Sequence, residues 1–481
     1  MSPKSDIIRR TKIVATIGPA SSNIEMLKKM IASGLNIVRE NFSHGTAEEH
    51  RKSIETVRKA ALEMGQIVGI MADLQGPKIR VAKFKQGKIT LNEGAEFILD
   101  ASYPSDTGNE NIVGIDYKEL PDDVTPNDVL LLDDGRIVLV VKQVDNTRII
   151  CRVTVGGELS NNKGINRQGG GLTAPALTDK DKEDLRTAVT LGVNYIAISF
   201  PRSASDIEEA KALIKAAGGN AGIIAKIERL EAIVPKTLDE IIAASDGIMV
   251  ARGDLAVEIG DAQVPGAQKF MIRRARFLNR PVITATQMME TMIKNVVPTR
   301  AEVSDVANAV LDNSDAVMLS AETATGAHPD LVIKTMARIC LAAEQYPLPV
   351  TIDEKENTLF SRADEAISIA SMYIANHMDV KAIISLTESG ATPLWMSRVC
   401  SNIPVFGLSR NPNTLGRMAL YRDVHPIYFD ATKIGEGEVE LAAITELQKL
   451  GFVKKSDLVI ITRGPKQGIS GGTNMLSIVE V

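Results

Sequence analysis

The sequence contains few cysteines, histidines and aromatic residues. Its 481 residues include three cysteines, five histidines and one tryptophan, and aromatic side chains make up 4% of the chain. Cys151, Cys340 and Cys400 lie far apart and form no Cys-x-x-Cys pair, which excludes a disulfide framework and a cysteine-based zinc site. The histidines likewise lack the spacing of a metal site. We therefore expect the cysteines to be buried apolar residues rather than nucleophiles.

The sequence also lacks an excess of positive charge and any long apolar run. It has 55 basic and 60 acidic side chains, so its formal net charge is −5. This balance argues against a surface for nucleic acid or for an anionic membrane. The N-terminal stretch MSPKSDIIRRTK has no apolar signal core, and no apolar run approaches the length of a membrane span. We therefore expect a cytoplasmic protein without nucleic-acid or membrane partners.

The order of predicted elements divides the chain into three parts, as expected for a length that exceeds one ordinary core. Buried strands alternate with helices over residues 1–73 and 171–345, and about eight such units predict an α/β fold, a (β/α)8 TIM barrel. Residues 74–170 instead show short alternating strands with a hairpin at Asp134-Gly135, which predicts an all-β insert. Residues 346–481 resume the β/α rhythm and predict a smaller, open parallel sheet flanked by helices.

Helix starts can be placed by capping motifs, in which a Ser or Thr is followed three residues later by an acid. Ser22 with Glu25 predicts the start of the first helix. Thr178 begins the helix that follows the insert, and Thr299 with Glu302 begins a later barrel helix.

Charged and hydroxyl-bearing residues follow the ends of the predicted barrel strands. The carboxyl ends of barrel strands meet on one face, where active sites lie. Arg and Lys recognise phosphate, and a pair of carboxylates suits Mg²⁺, which also takes substrate oxygens. The sequence therefore predicts a site for a polyanion and a divalent cation, built from Arg39, Asn41, Ser43, Asp73, Lys226, Glu228, Asp254, Thr286, Ser320 and Glu322.

Nine segments spread over the whole chain carry a more specific signal. They are TKIVATIGPAS, VRENFSHG, DLQGPKIR, LLLDDGRI, NNKGIN, IIAKIERLEAI, MVARGDL, ITATQMMETM and PTRAEVSDVANAVLDNSDAVMLSAETATGAHP. In these segments, and in their order, the chain resembles the pyruvate kinases of bacteria. The resemblance implies phosphoryl transfer from phosphoenolpyruvate to ADP, giving pyruvate and ATP, in a homotetramer with Mg²⁺ or Mn²⁺ as cofactor.

The resemblance also implies roles for the strand-end residues. Lys226 would neutralise the phosphoryl group in transit, and Arg39 would bind phosphate. Glu228 and Asp254 would ligate the divalent cation, while the backbone N–H groups of Gly253 and Asp254 would bind the substrate carboxylate. Thr286 would contact the reacting carbon, and Ser320 and Glu322 would relay its proton. The nucleotide would be bound by Arg80, Lys163, His44 and Asn41.

The resemblance extends to a monovalent-cation pocket. Many pyruvate kinases hold K⁺ at positions that match Asn41, Ser43, Asp73 and the backbone of Leu74. Those enzymes have a glutamate where this chain has Lys78, so the chain resembles the K⁺-independent members. A lysine ammonium is a compact monovalent cation, and placed near Asp73 it could replace K⁺.

A second anion site is expected in the C-terminal part. Its first strand leads into Thr387, Ser389, Gly390 and Thr392 at the start of a helix, where hydroxyl and N–H groups can bind phosphate. Pyruvate kinases place an effector phosphate at the matching loop. We therefore expect activation by a sugar phosphate or a nucleoside monophosphate, although a plain helix cap also fits the pattern.

Two positions depart from the family pattern, and two other functions stay open. Ala256 replaces a glycine, and Glu40 replaces a large apolar residue beside Arg39. Glu40 either adds a negative charge next to the anion site or points behind the strand.

A Mg²⁺-dependent lyase or aldolase acting on a pyruvate enolate would need the carboxylates and an arginine, but neither Arg80 nor Lys163. A non-catalytic metabolite-sensing subunit would need a damaged site.

Overall fold

The computed structural model describes residues 8–346, 360, 362–465 and 468–481. The first strands and helices start a barrel: β1 (Lys12–Thr16), α1 (Ile24–Ala32), β2 (Ile37–Asn41), α2 (Ala47–Glu63) and β3 (Gly69–Asp73). The predicted Ser22–Glu25 capping box is wrong. Asn23 caps α1 instead, with its side chain accepting the N–H of Met26, because asparagine is as strong a cap as serine. A capping box does form at Thr46, at the start of α2.

The all-β insert follows, and its elements are β4 (Lys88–Leu91), β5 (Glu96–Asp100), β6 (Ile112–Gly114), α3 (Leu120–Asp123), β7 (Val129–Leu132), β8 (Ile137–Asp145), β9 (Arg148–Val155), β10 (Gly157–Ser160) and β11 (Ile165–Arg167). Six strands form one sheet in the order β11-β7-β8-β9-β5-β6, and β10 pairs with β4. The predicted hairpin joins β7 to β8, and Asp134 and Gly135 adopt the positive φ angles of such turns. Residues between Ile79 and Leu172 give the insert its own apolar core.

The second half of the barrel consists of α4 (Asp179–Thr190), β12 (Tyr195–Ile198), α5 (Ala204–Ala216), β13 (Gly222–Ile227), α6 (Pro235–Ala244), β14 (Gly247–Ala251), α7 (Arg252–Ile259), α8 (Val264–Phe277), β15 (Val282–Ala285), α9 (Arg300–Leu311), β16 (Ala316–Leu319), α10 (Ala321–Ala324) and α11 (Pro329–Glu344). The eight parallel strands close in the order β1-β16-β15-β14-β13-β12-β3-β2, which confirms the predicted TIM barrel. The predicted capping boxes at Thr178 and Thr299 are confirmed as well.

The C-terminal part contains α12 (Ala363–His377), β17 (Val380–Leu386), α13 (Ala391–Met396), β18 (Val405–Ser409), α14 (Pro412–Met418), β19 (Val424–Tyr428), α15 (Val439–Lys449), β20 (Leu458–Arg463) and β21 (Met475–Glu480). Its sheet has the order β19-β18-β17-β20-β21. Four strands are parallel as predicted, but β21 runs antiparallel to β20. The connection over 464–474 is short, and a parallel return usually requires a longer crossover with a helix.

The C-terminal domain covers the amino ends of the barrel strands. The Lys12 ammonium donates to the Val424 carbonyl at 2.6 Å, and the Tyr195 hydroxyl donates to the Arg417 carbonyl at 2.9 Å. One apolar cluster contains both barrel residues such as Met71 and C-terminal residues such as Met418. The carboxyl ends of the strands lie at the opposite end of the barrel, which the C-terminal domain therefore does not cover.

Two of the three cysteines are buried, as the sequence predicts. Cys151 and Cys340 are buried, and burial raises the pKa of each thiol to about 12, so neither is a ready nucleophile. Cys400 is half-buried and unpaired. Within residues 8–346, 360, 362–465 and 468–481, no helix combines the length and apolarity that a membrane crossing requires.

Candidate active site

Four of the predicted residues meet at the carboxyl ends of β2, β3 and β13. The ammonium of Lys226 lies 2.9 Å from Glu228 and 3.3 Å from Asp73. Asp73 also accepts from the Arg39 guanidinium at 2.6 Å. Both carboxylates are about 1% exposed, so they are paired rather than solvated. The group therefore joins two cations to two anions in a nearly water-free position, where charges act most strongly.

Burial and pairing set the proton affinities of this group. Burial alone would raise the pKa of Asp73, but Lys226 and Arg39 outweigh it, and the pKa lies below its usual value. Burial would lower the pKa of Lys226, yet Asp73 and Glu228 raise it, so the ammonium stays charged. Burial raises the pKa of Glu228 to about 7, an effect that Lys226 only partly opposes. A cation next to Glu228 would favour its ionised form.

Sequence reasoning missed two hydroxyl groups in this cluster. The Lys226 ammonium donates to Ser199 Oγ at 2.7 Å, and this hydroxyl donates to the Leu74 carbonyl at 2.7 Å. Thr16 Oγ1 accepts from Arg39 at 3.1 Å. Ser199 directly follows β12 and Thr16 ends β1. A systematic reading of the residue at every strand end would have found both.

A second group lies where β14 and β15 end. Thr286 Oγ1 accepts the Gly253 N–H at 2.9 Å, so the hydroxyl sits beside the first turn of α7. Asp254 lies in that turn, and its carboxylate is 3.4 Å from the Lys78 ammonium. The suggestion that Lys78 is placed near Asp73 is therefore not supported by the pairing: Asp73 pairs with Arg39 and Lys226, and Lys78 pairs with Asp254. Lys78 and Asp254 are far apart in the sequence, so local pattern could not predict that these two residues pair.

Arg252 holds the backbone around Thr286, a role that the sequence did not reveal. Its guanidinium donates to the carbonyls of Ala285 at 3.2 Å and Thr286 at 2.6 Å, and it pairs with Asp305 at 2.7 Å. Thr286 and Gln287 have φ angles of 68° and 52°, which are unfavourable for residues with side chains. The arginine thus stabilises a strained turn that aims Thr286 at the strand ends.

The pair Ser320 and Glu322 follows β16. Both carboxylate oxygens of Glu322 accept backbone N–H groups, from Ser320 at 2.7 Å and from Met289 at 3.2 Å. Glu322 is 3% exposed. Its carboxylate therefore ties the turn after β16 to the segment after β15, next to Thr286.

The predicted nucleotide residues are divided between the barrel and the insert. Arg80 donates to the Asn162 carbonyl at 2.9 Å, and the Lys163 ammonium lies 2.7 Å from Asp133, so both contact their own domain. Asn41 is the last residue of β2 and His44 lies on the loop that follows, where Asn41 Oδ1 accepts the Ser43 N–H at 3.2 Å. His44 is exposed.

Glu40 takes the second of its two expected orientations. It is 4% exposed and its carboxylate accepts from Ser53 and contacts His50, both on α2. Because successive strand residues face opposite sides, Arg39 points to the site and Glu40 points to the helix layer. The Glu40 carboxylate therefore does not lie beside the position at which Arg39 would bind phosphate.

The donor set near the strand ends fits a magnesium-type cation. Glu228 and Asp254 supply carboxylate oxygens, and Mg²⁺ commonly takes one or two carboxylates together with water and substrate oxygens. Across the described part of the chain, no three His, Cys, Asp or Glu side chains converge as a complete metal site. Substrate oxygens and water would complete the coordination of a cation held by these two carboxylates.

The predicted effector loop lines a cavity in the C-terminal domain. The cavity has a volume of about 60 Å³ and is lined by Thr387, Ser389 and Thr392. Arg410 and Arg463 line it too, although Arg410 lies 3.4 Å from Glu388 and Arg463 donates to Glu440 at 2.9 Å. Gly390 directly precedes α13 with a φ of 80°, which favours glycine, and an added Cβ would lie 3.1 Å from Met418.

Known proteins resemble this chain over nearly its whole length. Residues 8–333 match the family model "Pyruvate kinase, barrel domain" and residues 365–479 match "Pyruvate kinase, alpha/beta domain". The chain is 52% identical to "Pyruvate kinase II" of Salmonella typhimurium and 53% identical to "Pyruvate kinase" of Haemophilus influenzae, each over 98% of this chain and 99% of the relative. "Pyruvate kinase 2" of Synechocystis is 42% identical over 99% of this chain and 80% of its own length. The chain belongs to the pyruvate kinase family.

Proposed function

We propose that this pyruvate kinase transfers the phosphoryl group of phosphoenolpyruvate to ADP at the strand ends that surround Lys226. The observation that supports this site is the Lys226 ammonium, held between the buried carboxylates of Asp73 and Glu228 beside Arg39. The two cations and two anions of this group balance. An incoming phosphate is therefore best accommodated together with a divalent cation, which fits phosphoenolpyruvate bound with Mg²⁺ or Mn²⁺.

The residues divide the chemistry among them. Arg39 and Lys226 bind the phosphate, and Lys226 stabilises the charge on the phosphoryl group as it moves. The N–H groups of Gly253 and Asp254, in the first turn of α7, would bind the substrate carboxylate, and that of Gly253 would exchange its bond to Thr286 Oγ1 for one to the substrate. Glu228 and Asp254 would hold the divalent cation, which neutralises charge on the enolate and carboxylate oxygens when bound.

Proton delivery to the enolate is assigned to the other side of the site. Thr286 faces the reacting carbon, and its strained backbone is fixed by Arg252. Ser320 supplies the relay hydroxyl, and Glu322 fixes it through the backbone N–H of Ser320. The proton leaves this chain of groups and forms the new C–H bond as enolpyruvate becomes pyruvate.

ADP is assigned to the space between barrel and insert. Arg80 and Lys163 of the insert, and Asn41 and His44 of the barrel, would contact its phosphates. In this structure Arg80 and Lys163 contact groups of the insert. We infer that the domain of residues 74–170 closes over the barrel of residues 1–73 and 171–345 and brings both side chains to the nucleotide. We also propose a homotetramer and a cytoplasmic location, in line with the resemblance to pyruvate kinases.

A coupled assay tests the function and separates it from the lyase alternative. Pyruvate should form from phosphoenolpyruvate only when ADP and Mg²⁺ or Mn²⁺ are both present, as measured by lactate dehydrogenase and NADH oxidation. Release of pyruvate from a 4-hydroxy-2-oxo acid with Mg²⁺, and none from phosphoenolpyruvate with ADP, would indicate the lyase or aldolase. No pyruvate under any condition would indicate a sensing subunit.

Independence from K⁺ is the first prediction for this enzyme. Lys78 places a permanent positive charge at the strand ends, 3.4 Å from Asp254, and this charge supplies the positive field that K⁺ would otherwise bring. We expect full activity in buffer free of Na⁺ and K⁺ at matched ionic strength. The Lys78→Glu variant should be weak until K⁺ is added, because a carboxylate then faces Asp254.

The matched control is Lys85→Glu, which makes the same charge change at an exposed position of the insert. It should stay K⁺-independent. A parent enzyme that is inactive until K⁺ is supplied would disprove the role of Lys78.

The second prediction is activation through the cavity beside α13. Its hydroxyl groups and two arginines suit a phosphate, so we expect a sugar phosphate or nucleoside monophosphate to lower the KM for phosphoenolpyruvate. Ser389→Asp, alone and with Thr392→Asp, should abolish this activation by repelling the phosphate, with basal kcat retained. Gln448→Glu adds one negative charge on α15 and should leave activation intact. Unchanged activation of the Ser389→Asp enzyme would place the effector elsewhere.

A further inference from the structure

A buried polar cluster lies behind the active site, between β2 and α2. Glu40 and His50 are 4% and 8% exposed, within a layer that otherwise contains apolar residues such as Val38 and Ile54. A buried carboxylate is costly unless it is hydrogen-bonded. Here Ser53 Oγ donates to one carboxylate oxygen at 2.5 Å, and His50 Nδ1 lies 3.1 Å from the other.

The second ring nitrogen of His50 reaches the loop after β2. Nε2 lies 3.0 Å from the His44 carbonyl, and the ring stacks on Phe42 with centroids 4.0 Å apart and an angle of 10°. Both nitrogens thus face oxygen acceptors, and an imidazole with a hydrogen on each nitrogen satisfies both. The His50 ring therefore contacts the loop at the His44 carbonyl and at the Phe42 side chain.

This loop carries residues assigned to the nucleotide. Asn41 ends β2 where the loop begins, and Ser43 and His44 lie on the loop, whereas Glu40, His50 and Ser53 lie behind it. Other contacts that hold the loop are the Lys180 ammonium on the Phe42 carbonyl at 2.8 Å and the Thr46 capping box. His50 adds the contact at the loop's centre.

We propose that His50 is a positioning residue that fixes the 41–45 loop for ADP, and that Glu40 and Ser53 hold its ring in place. The inference rests on the proposed function, because it takes His44 and Asn41 to face the nucleotide. Glu40 is one of the two departures from the family pattern, so the complete cluster is a feature of this chain rather than of the resemblance.

The test compares Glu40→Met with the double variant Glu40→Met, His50→Phe. In the first, a neutral His50 can still donate from Nε2 to the His44 carbonyl. In the second, phenylalanine keeps the stacking on Phe42 but removes that hydrogen bond, and no unpaired buried charge remains in either. We expect the KM for ADP to rise about five- to tenfold from the first to the second. The KM for phosphoenolpyruvate should stay within about twofold, since its residues lie on the opposite face of β2.

A conservative variant and a second apolar variant complete the design. His50→Gln in the same background can donate an amide N–H to the His44 carbonyl and should recover most of the ADP affinity. If the His50→Phe variant does not fold, His50→Leu takes its place, because leucine also lacks the hydrogen bond to the His44 carbonyl, and the same rise in the KM for ADP is expected. Equal KM values for ADP in all folded variants, with only the melting temperature changed, would overturn the proposal. Activity of the Glu40→Met enzyme is the separate check on the proposed function, which stands even if the ADP effect is absent.

Discussion

Replacing Lys226 with methionine is expected to lower kcat by about 10³-fold or more. The change removes a full charge that lies 2.9 Å and 3.3 Å from two buried carboxylates and that we assign to the phosphoryl group. Steady-state kinetics in the coupled assay measure the loss. Lys226→Arg should remain far below the parent, because a planar guanidinium cannot take the place of a compact ammonium between two carboxylates.

Folding must be separated from chemistry in this experiment. Asp73 keeps Arg39 as a partner in the methionine variant, so we expect the enzyme to fold, as checked by thermal unfolding. Lys182→Met is the matched control, since it breaks an ion pair with Glu209 on the outer helices and should keep normal turnover. Near-normal turnover of a folded Lys226→Met enzyme would show that its role is misassigned.

Removing either assigned cation ligand is the second large effect. Glu228→Gln and Asp254→Asn keep the side-chain volume but remove the carboxylate charge. We expect each to lower kcat/KM at ordinary Mg²⁺ concentrations by about 10²-fold or more. Mn²⁺ binding, followed by electron paramagnetic resonance in the presence of phosphoenolpyruvate, should weaken in parallel and give a readout that does not depend on activity.

Glu258→Gln provides the control for this pair. Glu258 lies on α7 near Asp254, burial raises its pKa to about 7 as for Glu228, and its carboxylate accepts the Leu230 N–H at 2.7 Å. It therefore resembles Glu228 in environment without facing the substrate. The control should retain most of the activity. Parent-like Mn²⁺ affinity in both Glu228→Gln and Asp254→Asn would exclude them as the ligands.

Much of the architecture could be predicted because its signals are local. Each barrel strand is a short apolar run, and each of the two confirmed capping boxes depends on residues three positions apart. The parallel barrel also forces strand ends onto one face, which is why Lys226 and Glu228 could be placed with Asp73 before any contact was known. The first helix cap failed because Ser22 and Asn23 are both competent caps, and local pattern does not rank them.

The sequence by itself determined the barrel, the insert, the family and the charged residues at the strand ends, although it missed the hydroxyl groups of Ser199 and Thr16. Tertiary structure decided which of them pair. It placed Lys78 against Asp254, turned Glu40 toward His50, brought Ser199 to Lys226, and reversed β21. These outcomes depend on strand register and on side-chain reach between segments that are far apart in the chain. Periodicity gives the face on which a residue lies, but only the packed fold gives the distance to its partner.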